Sequence, residues 1–200
     1  MIAVITGDII NSSHKDPKDW LKALKQVLTK HGESPKTWEI YRGDSFQLSV
    51  IPKDALLVAL QIKSAIKQIE DLDVRLGIGL GQIDFESSKI TESNGSAFVR
   101  SGESFEHLKK QHIMFKSANQ DLDEAINTML GLSLYISNKW SVTVSEIIKL
   151  AIEKPNLKQT ELAKQLGKSQ SNISEALKRG GFDEIMAMNT YYNKQILKLC

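Results

Sequence analysis

Residues 159–179 constrain the fold of this chain more than any other segment, because their apolar side chains are spaced for two short helices that cross. Leu162 and Leu166 lie one helical turn apart, and the small Ala163 lets a second helix approach closely. Gly167 can adopt the positive φ that commonly ends a helix. The spacing therefore predicts a helix, a tight turn and a second helix.

The second of these helices is predicted to have one apolar and one polar face. Ser169 is a suitable N-cap, and Ile173, Ala176 and Leu177 recur at the spacing of a buried helical face. The remaining side chains form hydrogen bonds readily and become basic at the end of the helix. This predicted outer face consists of Gln170, Ser171, Asn172, Ser174, Lys178 and Arg179.

The pattern resembles the helix-turn-helix of many bacterial regulators, with alanine in the first helix, glycine at the turn and isoleucine in the second helix. In such a motif Gln and Asn meet base edges in the major groove, whereas Ser, Lys and Arg contact phosphates. The partner that this implies is double-stranded DNA. A helical module that contacts another protein stays open, because Glu161 and Glu175 would repel phosphate. The candidate DNA-binding residues are Lys168, Ser169, Gln170, Ser171, Asn172, Ser174, Lys178 and Arg179.

Composition places the chain among ordinary soluble globular proteins, with 41% hydrophobic and 25% charged residues. A net charge of +2 is too small to indicate nucleic-acid binding by itself. From Lys154 to Arg179, however, six Lys or Arg residues stand against only two Glu. Any contact with DNA must therefore depend on this local basic surface.

The single cysteine, Cys200, excludes an internal disulfide framework and a Cys-rich zinc site, so a reducing cytoplasm is the expected compartment. The first eight residues carry no basic leader, and no apolar run approaches the roughly 20 residues that span a bilayer. We therefore expect a cytoplasmic protein without a membrane partner.

The order of predicted elements indicates an α+β half followed by an all-helical half. Strands and helices alternate up to Ser117 as a split βαβ pattern with a central antiparallel hairpin. Alternate glycines in the strand predicted at 74–83 indicate that another element or a ligand approaches its backbone closely. A helix is predicted from about Ala97 to Lys110. The predicted divisions are residues 1–117, a connecting helix over 118–140, and a helical domain over 141–200.

Two aspartates mark one end of the predicted sheet. Asp8 follows the strand predicted at 2–6, and Asp44 lies in the turn of the hairpin. Because these strands are neighbours in a split βαβ sheet, the two carboxylates can converge and hold Mg²⁺ against the phosphates of a nucleotide. The backbone N–H groups of residues 9–13 could then face phosphate oxygens. An ordinary structural role, as a cap for Asp8 and a turn residue for Asp44, stays open.

Three stretches, Thr-Gly-Asp-Ile-Ile-Asn-Ser, Arg-Gly-Asp-Ser-Phe and Arg-Leu-Gly-Ile-Gly-Leu-Gly, resemble the catalytic domain of class III nucleotidyl cyclases and, more remotely, of diguanylate cyclases. Together with the helix-turn-helix, these stretches give the chain a resemblance to the SatD family of bacterial proteins over nearly its whole length. The cyclase resemblance implies a ferredoxin-like palm sheet, a homodimer, and metal binding by Asp8, Asp44 and the carbonyl of Ile9. The candidate nucleotide-binding residues are Asn11, Ser12, Ser13, Gly43 and Arg100.

The chain departs from the cyclases at two positions. Aligned on Gly95, the transition-state asparagine corresponds to Val99 and the transition-state arginine to Glu103, whose negative charge opposes phosphoryl transfer. Arg100 lies one turn away as a substitute. We therefore expect a DNA-binding regulator whose cyclase-like half senses a nucleotide or metal without cyclase turnover. A Mg²⁺-dependent nucleotidyl or phosphoryl transferase and a non-catalytic protein-interaction module are the alternatives.

Overall fold

The computed structural model describes residues 1–108 and 111–199. It confirms the α+β class, since the described part contains a five-stranded mixed sheet and eight α-helices. The strands are β1 (Ile2–Ile10), β2 (Trp38–Tyr41), β3 (Ser45–Val50), β4 (Asp73–Gly81) and β5 (Ile113–Lys116). The helices are α1 (Pro17–Leu28), α2 (Ala55–Ile66), α3 (Ser96–Glu106), α4 (Gln120–Ser137), α5 (Val142–Glu153), α6 (Gln159–Leu166), α7 (Gln170–Arg179) and α8 (Phe182–Ile196).

The sheet has the strand order β2-β3-β1-β4-β5. Strand β1 is antiparallel to both of its neighbours, and β4 is parallel to β5. Side chains alternate between the faces, so that Ala3, Ile5 and Ile9 of β1 belong to the hydrophobic core with residues of α1 and α2. The opposite face carries Thr6 and Asp8.

Helix α3 lies directly on that opposite face, over the glycines of β4. A Cβ atom added to Gly77, Gly79 or Gly81 would collide with backbone atoms of α3. The close approach predicted from the alternate glycines is therefore confirmed, and the element that makes it is α3.

The helices after β5 share their core with the sheet. Helix α5 packs against α2, while α7 packs against α5, α6 and α8. The fully buried Tyr192 of α8 donates a hydrogen bond to the carbonyl of Pro52 at 2.7 Å and meets the ring of Phe115 edge to face. The indole of Trp140 donates to the carbonyl of Gly180 at 2.9 Å, which ties the end of α4 to the end of α7.

Several element boundaries differ from the sequence expectation, among them that of β4, which ends at Gly81 rather than at residue 83. Strand β1 continues to Ile10, because Ile9 and Ile10 still pair with Val74 and Asp73 of β4. Asp8 thus lies inside the strand rather than after it. Helix α3 ends at Glu106, and Lys110, its predicted end, lies outside the described residues. In the described ranges, no helix combines the length and the apolar character needed to cross a membrane.

Candidate functional site

The two predicted metal-binding aspartates lie at the same end of the sheet. Asp8 of β1 stands opposite Ser45 of β3, and Asp44 immediately precedes Ser45 in the hairpin turn. Both carboxylates interact electrostatically with the guanidinium of Arg75. The structure therefore brings Asp8 and Asp44 to the same end of the sheet, where the guanidinium of Arg75 on β4 interacts with both carboxylates.

Arg75 engages both carboxylate oxygens of Asp8. Its Nε donates to Oδ1 at 2.9 Å, and its Nη2 donates to Oδ2. The pair forms because the two residues are directly opposite in the β1–β4 register and so share a face. The hydrogen bond to Asp8, together with the nearby charges of Asp8 and Asp44, raises the pKa of Arg75. The same guanidinium lies over the ring of Phe105 of α3, 5.5 Å from its centroid.

The residues after β1 divide between this cluster and other contacts. Ser12 reaches it and donates its hydroxyl to the carboxylate of Asp44. Asn11 turns away and donates to the carbonyl of Asp71 at 2.9 Å. Ser13 is exposed in a short 3-10 turn, and Gly43 occupies the exposed hairpin turn with a φ of 86°. Of these nucleotide-binding candidates, Ser12 alone has a hydrogen bond to the acidic pair among the described contacts.

Arg100 does not reach the acidic pair within one chain. Its Nη1 donates to the carbonyl of Leu80 at 2.7 Å. Leu80 lies five residues beyond Arg75 on β4, or about 17 Å along a strand that rises about 3.4 Å per residue. Glu103 pairs with Lys116 at 2.8 Å, and Val99 is 54% exposed.

The side chains of this cluster do not by themselves fit a metal centre. Mg²⁺ prefers an octahedral set of oxygen ligands that includes free carboxylates. Both carboxylate oxygens of Asp8 accept hydrogen bonds from Arg75, and one carboxylate oxygen of Asp44 accepts a hydrogen bond from the hydroxyl of Ser12. Ile9, the third predicted ligand, lies in β1 opposite Val74. Over residues 1–108 and 111–199, no three His, Cys, Asp or Glu side chains are grouped to hold a metal.

The second candidate site is formed by α6 and α7. Gly167 ends α6 with a left-handed φ of 61°, and the hydroxyl of Ser169 accepts a hydrogen bond from the backbone N–H of Asn172 at 3.2 Å. Ile173 and Ala176 are buried in the contact of α7 with its neighbours. The predicted turn, cap and apolar face are therefore confirmed.

The opposite side of α7 faces solvent. Its two terminal cations, Lys178 and Arg179, are exposed, and the described ion pairs involve neither of them. Lys168, just before α7, pairs with Glu146 at 3.1 Å. The side-chain amide of Gln170 donates a hydrogen bond to the side-chain oxygen of Gln159 of α6 at 3.1 Å. The exposed predicted DNA-binding residues are Ser169, Gln170, Ser171, Asn172, Ser174, Lys178 and Arg179, whereas Lys168 is half-buried.

The two glutamates near this surface have different surroundings. The carboxylate of Glu161 accepts the backbone N–H of Lys158 at 2.7 Å and so caps the start of α6. Glu175 stays on the exposed side of α7. The surface is thus polar and mixed in charge at its centre and basic at its C-terminal end.

A model of the SatD family matches residues 1–195. The chain belongs to the SatD family. The resemblance seen in the sequence is confirmed at this level. Neither the curated proteins nor the solved structures contain a match to this SatD-family chain.

Arg75 is the site residue that the sequence did not reveal in this SatD-family chain. It is 67 positions from Asp8, and the two meet only through the register of β1 with β4. The single signal in the sequence is an arginine placed immediately before the apolar, glycine-bearing part of a strand.

Proposed function

We propose that this SatD-family protein is a DNA-binding transcriptional regulator in which α7 enters the major groove of double-stranded DNA. The observation that carries the proposal is the division of α7 into two faces. Ile173, Ala176 and Leu177 are at most 8% exposed, whereas the polar side is open to solvent. A helix sealed on one side and hydrogen-bond-capable on the other has the form required of a recognition helix.

The connection between α6 and α7 supports the same proposal. The left-handed Gly167 and the Ser169 cap make a short turn between two helices that pack on each other, as in a helix-turn-helix. Helix α5 packs behind both of them. In the proposal residues 141–200 form the DNA-binding domain, residues 118–140 the connection, and residues 1–117 the regulatory domain.

The sheet supports the cyclase-like part of the proposal. The order β4-β1-β3-β2 with antiparallel neighbours is the arrangement of a ferredoxin-like palm, to which β5 is added beside β4. The proposal includes a homodimer, because two recognition helices related by a twofold axis match the symmetry of a palindromic DNA site. It also includes a location in the cytoplasm.

The test is to map the DNA recovered with the full-length protein and then to measure affinity for the recovered sequences. Arg179→Ala is expected to weaken binding to all sequences and to make the salt dependence shallower by about 0.9 per lost phosphate contact. Asn172→Ala is expected to relax the preference at one base position. Lys22→Ala on α1, which also removes one exposed cation, is the matched control and should leave affinity unchanged. Binding that is absent or independent of salt refutes the proposal.

A second candidate function is the binding of a nucleotide at the acidic cluster. Ser12 and the guanidinium of Arg75 favour it, because an arginine next to a hydrogen-bonding side chain can hold phosphate oxygens. Mg²⁺ arriving with the nucleotide would offset the repulsion between its phosphates and the carboxylates of Asp8 and Asp44. Glu103 at the position of the transition-state arginine argues against turnover. In this role the cluster would regulate DNA binding rather than catalyse a reaction.

Calorimetric titration of nucleoside triphosphates, with and without Mg²⁺, tests this second candidate. Heat that Arg75→Ala removes supports it, and no heat with any triphosphate refutes it. Release of pyrophosphate that Asp44→Asn abolishes would instead identify a Mg²⁺-dependent transferase.

A further inference from the structure

Helix α4 buries one side in the core and presents a second partly apolar side to solvent. Leu132 and Tyr135 are 71% and 72% exposed. Large apolar side chains that lie together on a surface usually mark an interaction site. The α4 stripe consists of Asp121, Ala125, Thr128, Leu132, Tyr135 and Lys139, the last just after the helix.

The spacing along the α4 stripe alternates between four and three residues from end to end. That alternation is the one with which two helices stay in contact along a coiled coil. The buried side of α4 uses other positions, among them Leu122, Ile126 and Leu130. The α4 stripe is therefore not needed for packing within the chain.

The ends of the α4 stripe carry opposite charges, with Asp121 at one end and Lys139 at the other. When a second copy lies antiparallel and centred on residue 130, Asp121 faces the partner subunit's Lys139. In the same register, Ala125 faces the partner's Tyr135 and Thr128 faces the partner's Leu132. Opposite charges and small against large side chains thus meet across the whole contact.

A parallel second copy lacks this complementarity, because it places Asp121 against Asp121 and Tyr135 against Tyr135. An antiparallel pair of identical helices also closes on itself with twofold symmetry, so no surface is left for further copies. The charge pattern of the α4 stripe therefore favours a second copy of this chain as the partner and an antiparallel orientation of its α4.

The groove beside the α4 stripe has room for the partner's side chains. Helix α8 runs next to α4, and together they line an open cavity of about 490 Å³. Its walls are largely apolar and include Met129, Ile136, Met188 and Tyr191. From these observations we infer that this face is the homodimer interface, with α4 packed antiparallel on the partner's α4. The inference rests on the homodimer of the proposed function but not on DNA binding.

The oligomeric state of the full-length protein in DNA-free solution tests the assignment. Sedimentation equilibrium is expected to show a dimer whose dissociation constant rises at least about 30-fold in Leu132→Asp, a loss typical of a central interface residue. Val99→Asp on α3 is the matched control, since it places the same charge at an exposed apolar position outside the α4 stripe. Circular dichroism establishes that both variants are folded.

Charge reversal tests the antiparallel register. Asp121→Lys and Lys139→Asp should each weaken the dimer, and the two together should restore it because the cross-subunit pair re-forms with reversed sign. A monomeric wild type, a dimer that resists Leu132→Asp, or a double reversal that fails to recover overturns the assignment. A dimer that behaves as expected but does not bind DNA leaves the assignment standing and refutes only the regulator proposal.

Discussion

Asp73→Asn is expected to be among the most destabilising single substitutions in the molecule, because it removes the counter-charge of a completely buried lysine. Lys63 of α2 is 0% exposed, and its Nζ lies 2.7 and 2.9 Å from the two carboxylate oxygens of Asp73. It also lies 2.8 Å from the side-chain oxygen of Asn138. Asp73 in turn contacts Lys67 at 3.4 Å and His112 at 3.2 Å.

The pKa values of the pair show how strongly each charge depends on the other. Burial lowers the pKa of Lys63 to about 8 even though Asp73 opposes the shift. Burial alone would raise the pKa of Asp73, but the hydrogen bond from His112 and the charges of Lys63 and Lys67 lower it to about 2. Lys63 therefore tolerates burial as a cation only because Asp73 is ionised beside it.

The two halves of the pair should respond unequally to substitution. Asp73→Asn strands the charge of Lys63 and is expected to cost about 3–5 kcal/mol of unfolding free energy. Lys63→Met should cost less than about 2 kcal/mol, because Asp73 keeps Lys67 and His112 and the new side chain is apolar. Asp73→Asn removes the group that raises the pKa of Lys63, so this pKa should fall below its wild-type value of about 8. Part of the loss should therefore be recovered as pH rises towards 8, where the folded variant holds Lys63 neutral while the folded wild type still holds it protonated.

Urea unfolding, followed by circular dichroism at several pH values, measures these differences. The reasoning is refuted when Asp73→Asn costs less than about 1 kcal/mol, or when Lys63→Met costs as much as Asp73→Asn.

Three further predictions concern pH, packing and capping. In the wild type, Asp73 should contribute about 2 kcal/mol of stability above pH 4 that is lost as pH falls towards 2. The urea midpoint of the wild type should therefore fall further over this range than that of Asp73→Asn, which retains the other carboxylates with lowered pKa values, such as Glu153. Gly79→Ala should cost at least about 3 kcal/mol because its Cβ meets the backbone of α3, whereas Gly102→Ala, with no neighbour within 4 Å, should be neutral or stabilising by thermal melting. Ser169→Ala should cost about 1 kcal/mol by the same measurement.

Local patterns predicted most of the architecture. The turn at Gly167 and the cap at Ser169 each depend on residues a few positions apart, and the structure has both. The alternate glycines of β4 likewise predicted a close backbone contact, because a side chain at these positions would collide with the backbone of α3.

The chemistry of the acidic cluster was less predictable. The sequence placed Asp8 after its strand and left it free for a metal, but the strand continues and Arg75 pairs with it. Such a pair depends on strand register between segments far apart in the chain, which side-chain periodicity does not specify. The burial of Lys63 beside Asp73 has the same origin, since an isolated lysine in a helix gives no sign of its tertiary partner.

The return of α8 to the sheet bears on how a newly made chain matures. Tyr192 is buried against Phe115 and hydrogen-bonded to Pro52, so the core of the first half is completed only after α8 has been synthesised. Until then a nascent chain exposes the apolar surface that α8 will cover. A chain that lacks α8 is therefore expected to expose apolar surface and to be prone to aggregation.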